Sequence, residues 1–207
     1  MKEVSVSFLK EGSYKEYIEK INKTNADYIH FDVMDGKFTE TKNLSLSELV
    51  KLLKLSNKKN DVHLMVKNPD KYIEALSLYD IEYLTVHYEI KNYNKYLEKI
   101  KNYGIKPGIS INPNTDIKEI FPILDKVSLV LVMGVVPGKS GQSFILGTEE
   151  KIRLLKEEIE NRKLNIKIAV DGGIKEEVLE KINDSDIIVS ASYVLDNFDN
   201  INKLKDL

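Results

Sequence analysis

The segment from Tyr28 to Phe38 carries a histidine and a carboxylate at a spacing that suits metal chemistry. It reads YIHFDVMDGKF, a strand pattern that ends in a polar turn. Because side chains alternate between the two faces of a strand, His30 and Asp32 point the same way at its C-terminal end. An imidazole nitrogen and a carboxylate oxygen so placed form a natural pair of metal ligands. A buried histidine that hydrogen-bonds to an aspartate at a turn would give the same pattern, so other segments must decide.

Further polar side chains lie at the ends of other predicted strands. His63 and His87 lie in two of them, and Asp171 closes a third. In a closed barrel of parallel strands, the active site forms where the strands end. Two of these imidazoles, those of His30 and His63, can then converge with the carboxylates of Asp32 and Asp171 at one mouth. Such ligands suit zinc, manganese or ferrous iron.

Glycine-rich turns follow two of the later strands. Pro137 to Gly141 reads PGKSG, Asp171 to Gly173 reads DGG, and the last strand ends Ser190-Ala191-Ser192. Exposed backbone N–H groups in such turns can bind phosphate, and barrels commonly bind phosphate near strands seven and eight. Glycine is also needed wherever φ is positive, which explains any one turn alone. Three such segments after adjacent strands favour a phosphate site.

Eight strand patterns alternate with helical patterns along the chain. Alternation of this kind predicts a parallel sheet, and eight units predict one α/β domain over residues 1–207, a closed (β/α)8 TIM barrel. An open doubly wound sheet would carry a glycine-rich fingerprint after its first strand, where this chain has SFLKEGS. The predicted strands cover 4–8, 28–32, 61–66, 83–87, 106–111, 129–133, 167–171 and 187–190. The predicted helices cover 13–23, 45–55, 69–78, 93–102, 117–124, 148–161, 176–182 and 194–204.

Composition excludes several classes of function. The 207 residues carry 31 basic and 33 acidic side chains, so there is no basic surface of the kind that nucleic acid requires. The chain has no cysteine, which removes disulfides, zinc–thiolate sites and cysteine nucleophiles. No apolar run is long enough for a signal peptide or a membrane helix, so we expect no membrane partner and a cytoplasmic location.

Taken together, these segments resemble the ribulose-phosphate 3-epimerase family over nearly the whole chain. HFDVMDGKF, from His30, and DVHLMVKNP, from Asp61, are highly specific to that family, and the glycine loops are less so. The remaining similar segments are VSVSFL at 4–9, HYE at 87–89, NPNT at 112–115, PGKSGQSF at 137–144 and VDGGI at 170–174.

The resemblance implies an isomerase that inverts carbon 3 of a ketose phosphate, interconverting D-ribulose 5-phosphate and D-xylulose 5-phosphate. Asp32 and Asp171 would transfer the proton through a metal-stabilised enediolate. One divalent ion (zinc, ferrous iron or manganese) is implied as cofactor, with His30, Asp32, His63 and Asp171 as its ligands. The residues implied around the sugar phosphate are Ser7, His63, Gly138, Lys139, Ser140, Gly141, Asp171, Gly172, Gly173, Ala191 and Ser192. Relatives of this barrel type often assemble, which predicts a homo-oligomer.

The chain departs from the family pattern at the lid and at the phosphate end. Thr39-Glu40-Thr41 stands where Val-Pro-Asn is usual, Lys139 and Ser140 replace Phe and Gly, and Ala191 replaces Gly. These changes leave the four implied ligands intact, so they bear on substrate preference more than on reaction type. Epimerisation of a hexulose phosphate such as allulose 6-phosphate stays open, as does a catalytically degenerate, phosphate-binding barrel.

Overall fold

Eight parallel strands close into a barrel in which every strand pairs with its neighbours in chain order, and β8 returns to β1. This computed structural model describes all residues from Met1 to Leu207. The predicted (β/α)8 barrel is therefore confirmed. The strands are β1 (Glu3–Ser7), β2 (Tyr28–Met34), β3 (Lys59–Met65), β4 (Tyr83–His87), β5 (Lys106–Ile111), β6 (Leu129–Met133), β7 (Lys167–Asp171) and β8 (Ile187–Ser190).

Helical segments follow the strands around the outside of the barrel. The α-helices are α1 (Tyr14–Ile21), α2 (Leu46–Leu53), α3 (Asp70–Leu76), α4 (Tyr93–Asn102), α5 (Thr148–Asn161), α6 (Ser192–Asp196) and α7 (Asn200–Lys205). Two further segments, Ile117–Lys126 and Glu176–Ile182, are 3-10 helices. Pro122 lies inside the first of these, where its missing N–H and its ring oppose an α-helical hydrogen-bond pattern.

The prediction of one helix over 194–204 was wrong, because two short helices occupy that stretch. Asn197 ends α6 with an extended backbone, at φ −153° and ψ 107°. The Asn200 side chain then donates a hydrogen bond to the Tyr193 carbonyl at 2.7 Å, which secures the break between the helices. Local side-chain hydrogen bonds of this kind compete with helix continuation.

Two separate sets of apolar side chains stabilise the barrel. Outward-facing strand residues such as Phe31 and Val62 pack against the helices in one large cluster. A smaller cluster lies inside the barrel, and the rings of Tyr28 and Tyr83 meet there at a centroid distance of 5.9 Å. The rest of the inward face is rich in polar side chains, and the candidate functional residues lie among them.

The pairing of β2 with β3 sets the register of the polar residues. His30 lies opposite Asp61, and Asp32 lies opposite His63. Downstream of β2, Ser45 begins α2 with a capping box, in which Ser45 and Glu48 each bond the other's backbone N–H. Strand pairing thus fixes the position of β2, and the capping box fixes where α2 begins.

None of the helices is both long enough and apolar enough to cross a membrane. The longest, α5, has 14 residues and carries ion pairs from Arg153 to Glu150 and Glu157 on its outer face. The assignment of residues 1–207 to a single domain and the expected homo-oligomer stay predictions.

We predict that Gly108→Ala destabilises the barrel. A Cβ atom at Gly108 would lie 2.2 Å from Thr85 Oγ1 and 3.0 Å from Thr85 Cβ, on the neighbouring strand. Overpacking of this kind costs about 1–3 kcal/mol of unfolding free energy, which urea denaturation followed by circular dichroism would measure. The double variant with Thr85→Ala should recover part of the loss because it removes the nearest atom. Equal stability of Gly108→Ala and wild type would contradict the packing described.

Candidate active site

Four side chains from three strands meet at the C-terminal mouth of the barrel. His30 and Asp32 come from β2, His63 from β3 and Asp171 from β7, and one ligand atom of each lies within 4.8 Å of the others. Asp32 Oδ1 is 3.3 Å from His30 Nε2 and 3.2 Å from His63 Nδ1. Asp171 Oδ2 is 4.0 Å from His63 Nδ1. The structure thus brings together the four residues that the sequence suggested as metal ligands.

The turn after β2 is braced so that Asp32 keeps its place. Asn43 donates from Nδ2 to the Asp32 carbonyl at 2.7 Å and accepts the Met34 N–H at 2.8 Å. Asp35 Oδ1 accepts the backbone N–H groups of Lys37 and Phe38. The polar turn that follows the apolar strand pattern therefore supports the site through side-chain to backbone hydrogen bonds.

A divalent cation fits this group of ligand atoms. His30 Nε2 is fully buried and has no hydrogen-bond partner, although it faces the cluster. An unpartnered buried polar atom is costly and uncommon. Two imidazole nitrogens and two carboxylate oxygens are the donor set that zinc, manganese and ferrous iron accept. The cluster can therefore hold a metal ion.

The charges of the four residues are strongly linked. Burial opposes a charge on His30, but the Asp61 and Asp32 carboxylates outweigh it and raise the pKa of His30 well above its ordinary value. Burial likewise opposes ionisation of Asp32, yet the neighbouring imidazoles hold its pKa below the usual range. Burial and then the Asp32 carboxylate raise the pKa of Asp171. The cluster thus favours a positive charge at its centre, which is what a cation supplies.

Hydrogen bonds from neighbouring strands orient these side chains. Asp61 Oδ2 lies 2.7 Å from His30 Nδ1 and accepts the Ser5 hydroxyl at 2.9 Å. Ser7 donates its hydroxyl to Asp32 Oδ2 at 2.8 Å. The sequence pattern gave Asp61 no part in the site. The register that sets it opposite His30 was the missing information.

A second row of contacts continues from His63 away from the cluster. His63 Nε2 lies 2.8 Å from His87 Nε2, and His87 Nδ1 lies 3.1 Å from Glu89 Oε2. His87 is completely buried, and burial is the main cause that lowers its pKa to about 4. Sequence reasoning noted His87 at a strand end but assigned it no role. Alternation along β4, which turns Tyr83, Thr85 and His87 inward, was the signal that could have found it.

A cavity of about 380 Å³ opens above the cluster. Asp32 and Asp171 line it, whereas His30 and His63 are fully buried and do not. His63, which the resemblance also implied beside the sugar phosphate, therefore contacts the carboxylates but does not line the cavity. The cavity is also lined by the other residues that the sequence suggested for the sugar phosphate, namely Ser7, Gly138, Lys139, Ser140, Gly141, Gly172, Gly173, Ala191 and Ser192.

Close backbone contacts hold the loops around the cavity. Gly172 and Gly173 have φ of +99° and +72°, and a Cβ at Gly173 would lie 2.5 Å from the Phe144 nitrogen. Gly138 approaches the loop after β2, since a Cβ there would lie 3.0 Å from Thr39 Cβ. Met65 and Met133 add apolar surface to the cavity wall. Glycine is thus required where the loops after β2, β6 and β7 touch one another.

The fold and the site define a (β/α)8 barrel with a candidate divalent-metal centre at its C-terminal mouth. The ribulose-phosphate 3 epimerase family profile matches residues 3–195. The chain belongs to this family and is accordingly an isomerase of the epimerase type.

Curated relatives agree over most of the chain. Ribulose-phosphate 3-epimerase from Methanocaldococcus jannaschii is 36% identical over 199 residues, which is 95% of this chain and 84% of that protein. The Bacillus subtilis enzyme of the same name is 32% identical over 183 residues, covering 86% of this chain and 83% of that protein.

Solved structures that resemble the chain share its fold at low identity. Tryptophan synthase from Mycobacterium tuberculosis has a TM-score of 0.68 at 11% identity, covering 100% of this chain and 90% of that chain. A mutant tryptophan synthase α-subunit from Pyrococcus furiosus has a TM-score of 0.67 at 15% identity, covering 99% and 94%. These similarities concern the barrel alone.

We predict that zinc or manganese stabilises the protein and that Asp32→Asn abolishes most of this effect. A ligand that binds only the folded state, at about 100 times its Kd, adds about 2.7 kcal/mol of stability. Thermal unfolding of chelator-treated protein, with and without added metal, measures it. Asp196→Asn is the matched control, since Asp196 lines the cavity but pairs with Lys10 outside the cluster. An equal metal response in Asp32→Asn and the control would contradict the site.

Proposed function

We propose that the protein epimerises carbon 3 of a ketose phosphate, interconverting D-ribulose 5-phosphate and D-xylulose 5-phosphate. The observation that carries the proposal is the position of two carboxylates. Asp32 on β2 and Asp171 on β7 both line the cavity, above two imidazoles that are buried beneath them. The curated relatives bear the name of this activity.

Inversion next to a ketone needs two acid–base groups. The proton must leave carbon 3 from one face of the substrate and return to the other face. One carboxylate cannot reach both faces within hydrogen-bond distance. Asp32 and Asp171, which come from strands that are not neighbours in the barrel, would act as base and acid and exchange roles with the direction of reaction.

The rest of the site would bind and orient the substrate. His30, Asp32, His63 and Asp171 would hold the divalent ion, either zinc, ferrous iron or manganese. When bound, the ion would act as a Lewis acid for the negative charge that develops on the substrate oxygens. The Ser7 hydroxyl orients Asp32 by donating a hydrogen bond to the Oδ2 atom of that carboxylate. The loops after β6, β7 and β8 would bind the phosphate through backbone N–H groups, with the Lys139 ammonium at the cavity wall.

We predict that Asp171→Asn lowers kcat by about 10²–10⁴ in folded, metal-loaded protein. The amide keeps the size of the side chain but can neither take up nor release the proton. Turnover of D-ribulose 5-phosphate is measured together with metal content by elemental analysis, so that loss of the ion is separated from loss of the acid. Asp184→Asn is the control, because Asp184 is exposed and does not line the cavity. Epimerisation near the wild-type rate would exclude the two-aspartate scheme.

We also predict that kcat/KM is higher for ribulose 5-phosphate than for allulose 6-phosphate, because the curated relatives bear the name of the ribulose-phosphate activity. The two substrates differ by one hydroxymethylene unit, and the cavity wall differs from the family pattern at Lys139, Ser140 and Ala191. Paired assays on the same metal-loaded preparation give the ratio. A higher value for the hexulose phosphate would identify the hexulose-phosphate 3-epimerase instead. Metal binding without turnover of either substrate would identify a catalytically inactive barrel.

A further inference from the structure

We propose that His87 and Glu89 are positioning residues of the metal centre, which together fix the tautomer of His63 that can bind the ion. This inference rests on the metal-dependent function proposed above. Neither residue lines the cavity, and His87 reaches the cluster of four by its contact with His63. Their contacts form one chain of hydrogen bonds that runs from the metal centre to the loop after β5.

Metal binding determines which ring nitrogen of His63 carries the proton. Its Nδ1 faces Asp32 and Asp171, so this nitrogen would bind the ion and must present a lone pair. The single proton of the neutral ring is then on Nε2. That N–H points at His87 Nε2, at a nitrogen–nitrogen distance of 2.8 Å, so His87 must accept there. The proton of His87 is therefore on Nδ1.

The N–H group at His87 Nδ1 needs a hydrogen-bond acceptor, and Glu89 supplies it. His87 Nδ1 lies 3.1 Å from Glu89 Oε2, and an ionised carboxylate can only accept. Each contact in the chain then has one donor and one acceptor. The opposite tautomer of His87 would set its Nδ1 lone pair against the carboxylate and its Nε2–H against His63. Relief would require His63 to carry its proton on Nδ1, which is the nitrogen that the ion needs.

Further contacts hold both Glu89 and the His87 ring in place. Glu89 Oε1 accepts the Asn112 backbone N–H at 2.8 Å and also the Thr115 hydroxyl, so the carboxylate has little freedom to turn. The Phe38 ring packs on His87 with a centroid distance of 4.4 Å. Both the carboxylate and the imidazole are thus held in the orientation that the proton count demands.

The two imidazole ligands are supported differently. His30 is held by one buried carboxylate, Asp61, which the Ser5 hydroxyl contacts in turn. On its Nε2 side, His63 reaches a carboxylate only through the imidazole of His87, and that carboxylate, Glu89, lies partly exposed, with 22% of its side chain accessible. The support of His63 can therefore be altered from near the surface without a change inside the cluster. A bonding partner of a metal-binding imidazole affects affinity as well as orientation.

The experiment measures zinc affinity by competition with a chromophoric chelator. Glu89→Gln and His87→Leu should each weaken zinc binding by about 10–100-fold. In neither variant does every donor between His63 and the loop after β5 still face an acceptor. His87→Gln should retain more affinity than His87→Leu, since its side-chain carbonyl can accept from His63 Nε2. Glu119→Gln is the matched control, an exposed carboxylate beside the same surface hollow as Glu89, with no contact to His87.

Nitrogen-15 NMR of the zinc-loaded protein supplies a readout that folding alone would not change. In the wild type, His63 should be protonated at Nε2 and bound to zinc at Nδ1, and His87 should be protonated at Nδ1. If His87→Leu does not fold, Glu89→Gln alone decides. Zinc affinities of the variants within about twofold of Glu119→Gln, or the opposite tautomer of His87, would overturn the proposal. A wild type that binds no metal would instead refute the metal centre itself.

Discussion

The structure depends on the enclosure of several carboxylates among buried imidazoles. Asp32 and Asp61 are almost fully buried, and each contacts His30. Burial of a carboxylate is costly unless hydrogen bonds and opposite charge compensate it. The barrel meets this requirement by placing the hydroxyls of Ser5 and Ser7 on β1 and the imidazole of His63 on β3, within reach of the acids. The same arrangement leaves a centre that favours a cation.

The walls of the cavity have a different physical basis from its floor. The floor is fixed by strand pairing, whereas the walls are loops that pack on one another through glycines and small side chains. Thr39, one of the residues that departs from the family pattern, packs against Gly138 in the loop that contains Lys139 and Ser140. One atypical position thus packs against the loop that carries two others. Lys139, Ser140 and Ala191 line the cavity, whereas the four side chains of the metal cluster are those that the family resemblance implies.

The barrel itself does not specify the reaction. Tryptophan synthase has a closely similar fold at identities of 11–15%. A fold of this kind positions strand ends around one mouth, and the side chains there determine the chemistry. In this chain, the side chains at that mouth are a pair of carboxylates and two buried imidazoles, which is the basis for the proposed proton transfer at carbon. In our proposal, His87 and Glu89 set how the imidazole of His63 is presented, whereas Asp61 contacts His30.

The sequence alone determined the architecture and most of the residues at the barrel mouth. Apolar strand patterns and helical spacing were sufficient for several elements, such as β4 and α5, whose bounds match the prediction. The 3-10 form around Pro122 was missed because proline opposes the α-helical hydrogen-bond pattern. The break at Asn197 was missed because local side-chain hydrogen bonding overrides a weak periodic pattern. Alternation could place His30, Asp32 and Asp171 at strand ends. Only the tertiary structure decided that Asp61 contacts His30 and that His87 contacts His63, since both contacts depend on the register between separate strands, which periodicity within one strand does not encode.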